Sequence, residues 1–355
     1  RDLHSFPTRR SSDLLAVDAY TLWGGPYNQP YYPSKNNILC PAQTKENQVN
    51  APVFRLLGIE PIRGYNEARY AKAPECAGCA TMEPYWKYGK TKDYMEWFFK
   101  TYFENENMGI AYTQIGQENS FGWAGIKDGL ELQLELIKKY ADSGKIQVVK
   151  TSEAGRLFSE ANKLTPPAAL TADTDPAGEH KYKSFWYTSK NYRANVFFDG
   201  ESLYFRDIQK FNELYRERYL DEPCRKWDAV YDNLPVADER IWSSEKDSHE
   251  AGVDFDGKFA FDSVERDGNA LTVKAHSDDL KKKVLIRMDE ESITVSGDAK
   301  LIWRFGKFTD FKAVNNGVEF VHNGFNYRVS VVGDMAASEN NLVLSGEKIV
   351  FEMAE

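Results

Sequence analysis

The spacing of hydrophobic residues differs between the two halves of the chain. In the first half, apolar residues recur at helical spacing after short apolar runs that are typical of buried strands. The predicted strands cover residues 17–23, 59–65, 109–116 and 146–151. The predicted helices cover a short stretch at 51–57 and longer ones at 92–105, 130–141 and 154–161.

Strands that alternate with helices indicate parallel β/α units. About four such units are visible, and a barrel needs about eight. We therefore expect the C-terminal half of a (β/α) barrel. A complete small open sheet is the alternative.

After residue 180 the pattern changes to short strand-like segments, such as RANVFFD and KKVLIRM, separated by Gly, Asn and Asp turns. This spacing predicts a β-sandwich-like domain. Only residues 207–219 (DIQKFNELYRERY) have helical spacing in this half. Residues 164–179 are rich in Pro, Ala and Asp, which is typical of a linker.

The first residues do not fit either pattern. SFPTRRSSDL, at 5–14, resembles the translation of a sequencing adapter and has no apolar run that could serve as a signal peptide. The expected organisation is a foreign segment at 1–14, a partial barrel domain at 15–163, a linker at 164–179 and a β-sandwich domain at 180–355. On this interpretation the natural start is missing, so the compartment stays open.

Composition excludes several classes of protein. The net charge of −9 gives no electrostatic basis for binding nucleic acid, and no apolar run is long enough to predict a membrane span. Residues 15–179 contain no histidine, so this half supplies neither a Ser-His-Asp triad nor a His-ligated metal. No cofactor is therefore predicted, and a divalent metal is expected only if a missing N-terminal half provides its ligands.

Candidate chemistry follows the predicted strand 109–116. Glu118 lies between two amides, Gln117 and Asn119, and Trp123 follows shortly afterwards. A carboxylate can act as acid, base or nucleophile, amides hydrogen-bond hydroxyl groups, and aromatic rings stack on the apolar faces of sugars. The alternative is that Glu118 caps the following helix.

Two further loops carry residues suited to the same task. Asp18 and Glu83 are the candidate partners of Glu118 in a catalytic pair. The long loop after the first strand offers polar and aromatic groups that suit a substrate platform, or else pack on their own domain. The candidate substrate-binding residues in this loop are Trp23, Tyr27, Asn28, Gln29 and Tyr31.

Several segments, among them LWGGPYNQPYYPS, IGQENSFGW and FRDIQKF, resemble a bacterial family described as glycoside hydrolases or deacetylases. The resemblance runs from about residue 17 to at least 220. It implies a β/α barrel of the polysaccharide-deacetylase and glycoside hydrolase family 57 type, followed by a β domain.

Together these features predict a carbohydrate-active enzyme, first of all a glycoside hydrolase with paired carboxylates and an oligo- or polysaccharide substrate. A metal-dependent polysaccharide deacetylase and a non-catalytic glycan-binding protein are the alternatives. Since half of the barrel loops would be absent, this chain alone is expected to be inactive.

Overall fold

A computed structural model of the chain describes most of its second half and parts of its first. The described residues are 25–26, 29–54, 92–112, 123–175, 181–223, 233–238, 250–277, 281–308, 310–338 and 340–354. Three helices occur in these ranges: α1 (Lys92–Phe103), α2 (Trp123–Asp142) and α3 (Thr151–Ala161).

The same ranges form fourteen strands that belong to one hydrogen-bonded sheet. Every strand pair in it is antiparallel. The strands are β1 (Ala168–Ala172), β2 (Lys183–Thr188), β3 (Tyr192–Phe198), β4 (Leu203–Lys210), β5 (Leu234–Ala237), β6 (Gly252–Phe255), β7 (Phe259–Asp267), β8 (Ala270–Ser277), β9 (Lys283–Met288), β10 (Ser292–Arg304), β11 (Phe311–Val314), β12 (Gly317–His322), β13 (Phe325–Ser338) and β14 (Asn341–Glu352).

The sheet divides into two branches at β10. Its first half, Ile293–Ser296, pairs with β9, and its second half, Leu301–Arg304, pairs with β6. One branch therefore continues through β9, β8 and β7, and the other through β6, β4, β3, β2 and β1. On its other side β10 pairs with β14, which leads to β13, β12 and β11.

Glycines produce the bend at which the branches separate. The register of β10 against β14 shifts between Ser296 and Ala299, and Gly297 in this bulge has a φ of 106°. A side chain there would collide with the carbonyl oxygen of Lys283. Gly333 in β13 and Gly346 in β14 also have positive φ next to this bulge. Three neighbouring strands therefore bend together, as bulged strands do.

The two branches face each other across the main hydrophobic core. The Phe185 ring of β2 stacks on Phe261 of β7 at a centroid distance of 5.2 Å, and the Tyr187 hydroxyl donates to the Asn269 carbonyl at 2.9 Å. A second core lies on the outer face of β1–β4, where Trp186, Phe197 and Tyr204 pack with residues of α1 and α2. Strands β1–β4 are consequently buried on both faces, whereas β9 alternates between buried and exposed residues.

The predicted half-barrel is wrong, and the expected inactivity of this chain, which followed only from missing barrel loops, loses its basis. The strands of the described residues form one large antiparallel sheet, so parallel β/α units are absent from these ranges. Of the predicted β-sandwich-like domain, only the β-rich character of the second half is confirmed, because the strands belong to a single sheet rather than to two separate ones. Of the four strands predicted in the first half, 17–23 and 59–65 lie outside the described residues. Residues 109–112 are not in a strand, and 146–150 have no regular secondary structure between α2 and α3, where Val148 is 71% exposed.

The helices were predicted correctly at 92–105, 130–141 and 154–161, and so were the strand-like segments after residue 180. The helix at 207–219 is wrong, because β4 extends to Lys210 and only a 3-10 turn, Arg218–Leu220, occurs later. The Leu214 amide donates to the Asn212 side chain at 2.8 Å. Such a local bond gives the backbone an alternative to helix. Residues 51–54 of the predicted helix 51–57 are not helical either.

Residues on both sides of the predicted domain boundary share the second core. Strand β1 lies within the predicted linker, is fully buried and pairs with β2. Met108 forms an isolated antiparallel bridge with Ala169 of this strand. The division into two domains stays a prediction, and it has to accommodate this common core.

Candidate functional site

Most of the predicted site residues lie outside the described residues. These are the three carboxylates, Asp18, Glu83 and Glu118, and the substrate-binding candidates Trp23, Tyr27, Asn28, Gln117 and Asn119. Their roles stay predictions. The structure describes the other three candidates, Gln29, Tyr31 and Trp123.

Gln29 and Tyr31 are buried in contacts with their own chain. Gln29 is 1% exposed and its amide donates to the Pro166 carbonyl. Tyr31 is fully buried, and its hydroxyl donates to the Ile38 carbonyl at 2.7 Å. Both side chains therefore contribute to the packing of residues 29–54. Neither is open to a ligand in this conformation.

A buried carboxylate attaches residues 29–54 to the segment after β4. Glu213 is 4% exposed and accepts the backbone amides of Gln43 at 2.8 Å and Thr44 at 3.0 Å, together with the Thr44 hydroxyl at 2.7 Å. Buried polar groups need such partners, because an unsatisfied one costs free energy. For the described part of the aromatic loop, these contacts favour packing against the rest of the chain, and they cross the predicted boundary between 15–163 and 180–355.

Trp123 has the opposite environment. It is the first residue of α2 and is 59% exposed. A large exposed aromatic side chain leaves much apolar surface in water, and a single surface residue of this kind offers a ring face for stacking. Trp123 is the one predicted site residue in the described ranges that is accessible to a ligand.

A polar cluster that sequence reasoning missed lies on the outer face of β2–β4. Residues 193 and 195 of β3 point away from the main core, to which Ala194 and Val196 belong. In β4, Arg206 is the extra residue of a bulge, because Asn195 pairs with Asp207 and Val196 with Phe205. The bulge brings two successive charged residues, Arg206 and Asp207, onto one face, because an extra residue in a strand re-aims the side chains that follow it.

The cluster is linked by short hydrogen bonds and is fully buried. Arg193 binds Asp207 through two of its nitrogens, with Nε–Oδ1 at 3.0 Å and Nη2–Oδ2 at 2.8 Å. Its third nitrogen, Nη1, donates to the carbonyl oxygen of Gly25 at 2.9 Å. Arg206 donates to Asn195 Oδ1 at 2.6 Å and to Ser184 Oγ at 3.2 Å.

Aromatic rings surround the two guanidinium groups. Arg206 lies 4.4 Å from the centroid of the Phe197 ring, and both arginines lie within 6 Å of the centroid of the Trp186 ring. Cation–π attraction of this kind is strengthened when the cation is removed from water. Burial raises the pKa of the Asp207 carboxyl above its ordinary value, and Arg193 and Arg206 oppose this increase by stabilising the carboxylate.

The cluster can orient a backbone segment but does not contact solvent. One sequence signal could have revealed it, since charged residues interrupt otherwise apolar strands in RANVFFD and SLYFRD. Within the described ranges, no group of three or more His, Cys, Asp or Glu side chains is arranged to hold a metal ion. None of the helices described is both long and apolar enough to cross a membrane.

Comparisons with known proteins found no similar sequence or structure. No family model, no curated protein and no solved structure matches this chain.

Proposed function

We propose that the protein binds an oligosaccharide next to the start of α2 and hydrolyses it as a glycoside hydrolase, with Glu118 as a catalytic carboxylate. The observation that supports this proposal is the exposure of Trp123, 59%, at the first position of α2. In the sequence, Gln117, Glu118 and Asn119 precede this ring by a few residues. Ring, amides and carboxylate are the groups needed to stack on, hydrogen-bond and cleave a sugar.

Binding without catalysis is the second candidate, because the exposed ring is sufficient for it. The two candidates differ in what Glu118 does. A glutamine in its place keeps the shape and hydrogen-bonding capacity but neither donates a proton nor attacks a sugar carbon. Catalysis therefore depends on Glu118, and binding depends on Trp123.

The test is the release of reducing sugar from a panel of oligosaccharides, with binding measured on the same panel. Glu118→Gln should lower kcat by about 10²–10⁴ and leave KM nearly unchanged. Trp123→Ala should raise KM. Glu135→Gln and Leu134→Ala are the matched controls, since they remove an exposed charge and an exposed apolar side chain from the same helix.

Three outcomes separate the candidates. Loss of turnover in Glu118→Gln alone supports hydrolysis with this carboxylate. Binding that Trp123→Ala abolishes, without turnover by the wild type, supports the binding protein. Full hydrolysis by Glu118→Gln contradicts the assignment of Glu118, and absence of both binding and turnover contradicts the proposal as a whole.

A further inference from the structure

Residues 146–150 are an open stretch of backbone between α2 and α3. The last paired backbone group before it is the Lys145 amide, which donates to the Tyr140 carbonyl at 3.0 Å. The next one is the Lys150 carbonyl, which accepts two amides of the first turn of α3. Between these contacts, no backbone group of residues 146–149 has a hydrogen-bonding partner in the part of the chain that the structure describes. Four successive residues therefore have donors and acceptors to offer to a partner.

The side chains of this stretch suit a strand. Val148 and Val149 are β-branched, which favours extended backbone, and they are 71% and 44% exposed. Ile146 packs against the second core and attaches one end of the stretch to the fold. At the other end, Lys150 has a φ of −68° and a ψ of 148°, in the extended region. Exposed apolar side chains beside unpaired backbone groups make an edge available to another strand.

The charges on either side of the stretch favour a second copy of the same chain as that partner. One acid and one base lie on each side, namely Asp142 and Lys145 before it and Lys150 and Glu153 after it. An antiparallel pair of strands places the end before the stretch in one copy beside the end after it in the other, so that each lysine meets an acid of the other copy. A parallel pair would place each lysine beside its own counterpart, which is unfavourable.

The contacts that these charged residues make within their own chain do not prevent this exchange. Asp142, Lys145 and Glu153 form ion pairs in which their side chains are 64%, 46% and 43% exposed. Exposed ion pairs contribute little to stability, so replacing them with partners in a second copy costs little.

We propose that residues 146–150 are a dimerisation strand, which pairs antiparallel with the same residues of a second copy about a twofold axis at Val148. In such an interface the same patch serves both copies, so one exposed strand is sufficient. Val148 then lies opposite its own counterpart, and Gln147 lies opposite Val149. Backbone hydrogen bonds hold the two strands together, and contact between the valines removes apolar surface from water. This inference is independent of the proposed function.

The test is the mass of the full chain as a function of concentration, measured by sedimentation equilibrium. The wild type should pass from monomer to dimer between micromolar and millimolar concentrations, because a short strand pair is a small interface. Amide hydrogen exchange at residues 147–149 should slow as the dimer forms, since their backbone groups then acquire partners.

Charge variants at the axis test the register. Val148→Asp and Val148→Lys should each weaken dimerisation at least about tenfold, because two like charges then lie opposite each other. An equimolar mixture of the two variants should restore the dimer, since opposite charges then meet, and this holds only if position 148 lies opposite itself. Leu134→Asp is the matched control, because it introduces the same charge at another exposed apolar residue, 53% exposed on α2, and should leave the dimer unchanged.

A restored dimer in the mixture, with slower exchange at residues 147–149, would support the proposal. A wild type that stays monomeric at millimolar concentration would overturn it, and so would a dimer that Val148→Asp leaves intact. Charge variants that stay monomeric when mixed would also overturn it. An equal loss of the dimer in Leu134→Asp would assign the effect to net charge rather than to this strand, and would overturn it as well.

Discussion

Asp207 and Arg193 form a completely buried ion pair, in which both side chains have 0% exposure. Removing two charges from water is expensive, and the pair recovers this cost through two hydrogen bonds and the attraction between its members. If one partner is removed, the other stays buried without its counter-charge. The pair is therefore sensitive to truncation even where its net contribution to stability is small.

Asp207→Ala should lower the free energy of unfolding by about 3–5 kcal/mol, the usual cost of breaking a buried ion pair. Arg216 and Asp221 provide the control, since they form a similar pair at 2.6 Å with side chains that are 53% and 61% exposed. Asp221→Ala should cost less than about 1 kcal/mol. Denaturant unfolding of the two variants measures both values. An equal loss of unfolding free energy in Asp207→Ala and Asp221→Ala would contradict the burial of Arg193 and Asp207.

At the residue scale, the sequence indicates some roles and conceals others. The charges of Arg193, Arg206 and Asp207 within apolar strands indicate a buried polar network. The bulge that turns Arg206 and Asp207 to one face depends on pairing with β3, which local sequence does not reveal. In the same way, Tyr31 is an aromatic residue in a polar loop, as a substrate-binding residue could be, and only its tertiary contacts show that it is buried.

At the scale of elements, the bulge in β10 lets its two halves pair with different strands, β9 and β6, which begin the two branches of the sheet. Gly297 has a φ of 106°, and a Cβ there would meet the carbonyl oxygen of Lys283 in the neighbouring β9. Gly268 also has a positive φ, 58°, but nothing lies within 4 Å of the position its Cβ would take. A side chain at Gly297 would therefore incur both backbone strain and a steric collision, whereas one at Gly268 would incur backbone strain alone.

Gly297→Ala should lower the free energy of unfolding by about 3 kcal/mol or more, because strain and overpacking add. Gly268→Ala should cost only the strain, about 1 kcal/mol. Thermal or denaturant unfolding of both variants gives the comparison. A Gly297→Ala protein as stable as Gly268→Ala would show that β10 does not bend against β9 as described.

Strands could be predicted well from the sequence where one face of the strand is exposed to solvent and the other is buried. Strands such as β9 alternate between apolar and polar residues, and the pattern identifies them. Strand β4 is buried on both faces, so its residues do not alternate, and the apolar spacing of Ile208, Phe211 and Tyr215 resembles that of a helix. Segment 146–150 fails for the opposite reason, since its apolar residues suit a strand but Val148 and Val149 remain exposed.

At the scale of the whole molecule, helices and strands in alternation suggested parallel units. Three of those helices exist, but α1 and α2 cover the outer face of an antiparallel sheet. Alternation along the chain does not specify which strands pair, because pairing depends on contacts distant in sequence. The predicted linker at 164–179 contains β1, whose pairing with β2 and burial likewise depend on contacts distant in sequence.

Helices α1 and α2 and strand β1 complete the burial of β2–β4. This packing is tested most directly by amide hydrogen exchange of the isolated segment 180–355 against the full chain. Exchange in β2–β4 should become much faster in the segment, and the uncovered face with Trp186, Phe197 and Tyr204 should bind a hydrophobic dye. Strands β10, β13 and β14 should remain protected. A segment that protects β2–β4 as well as the full chain does, without dye binding, would contradict it.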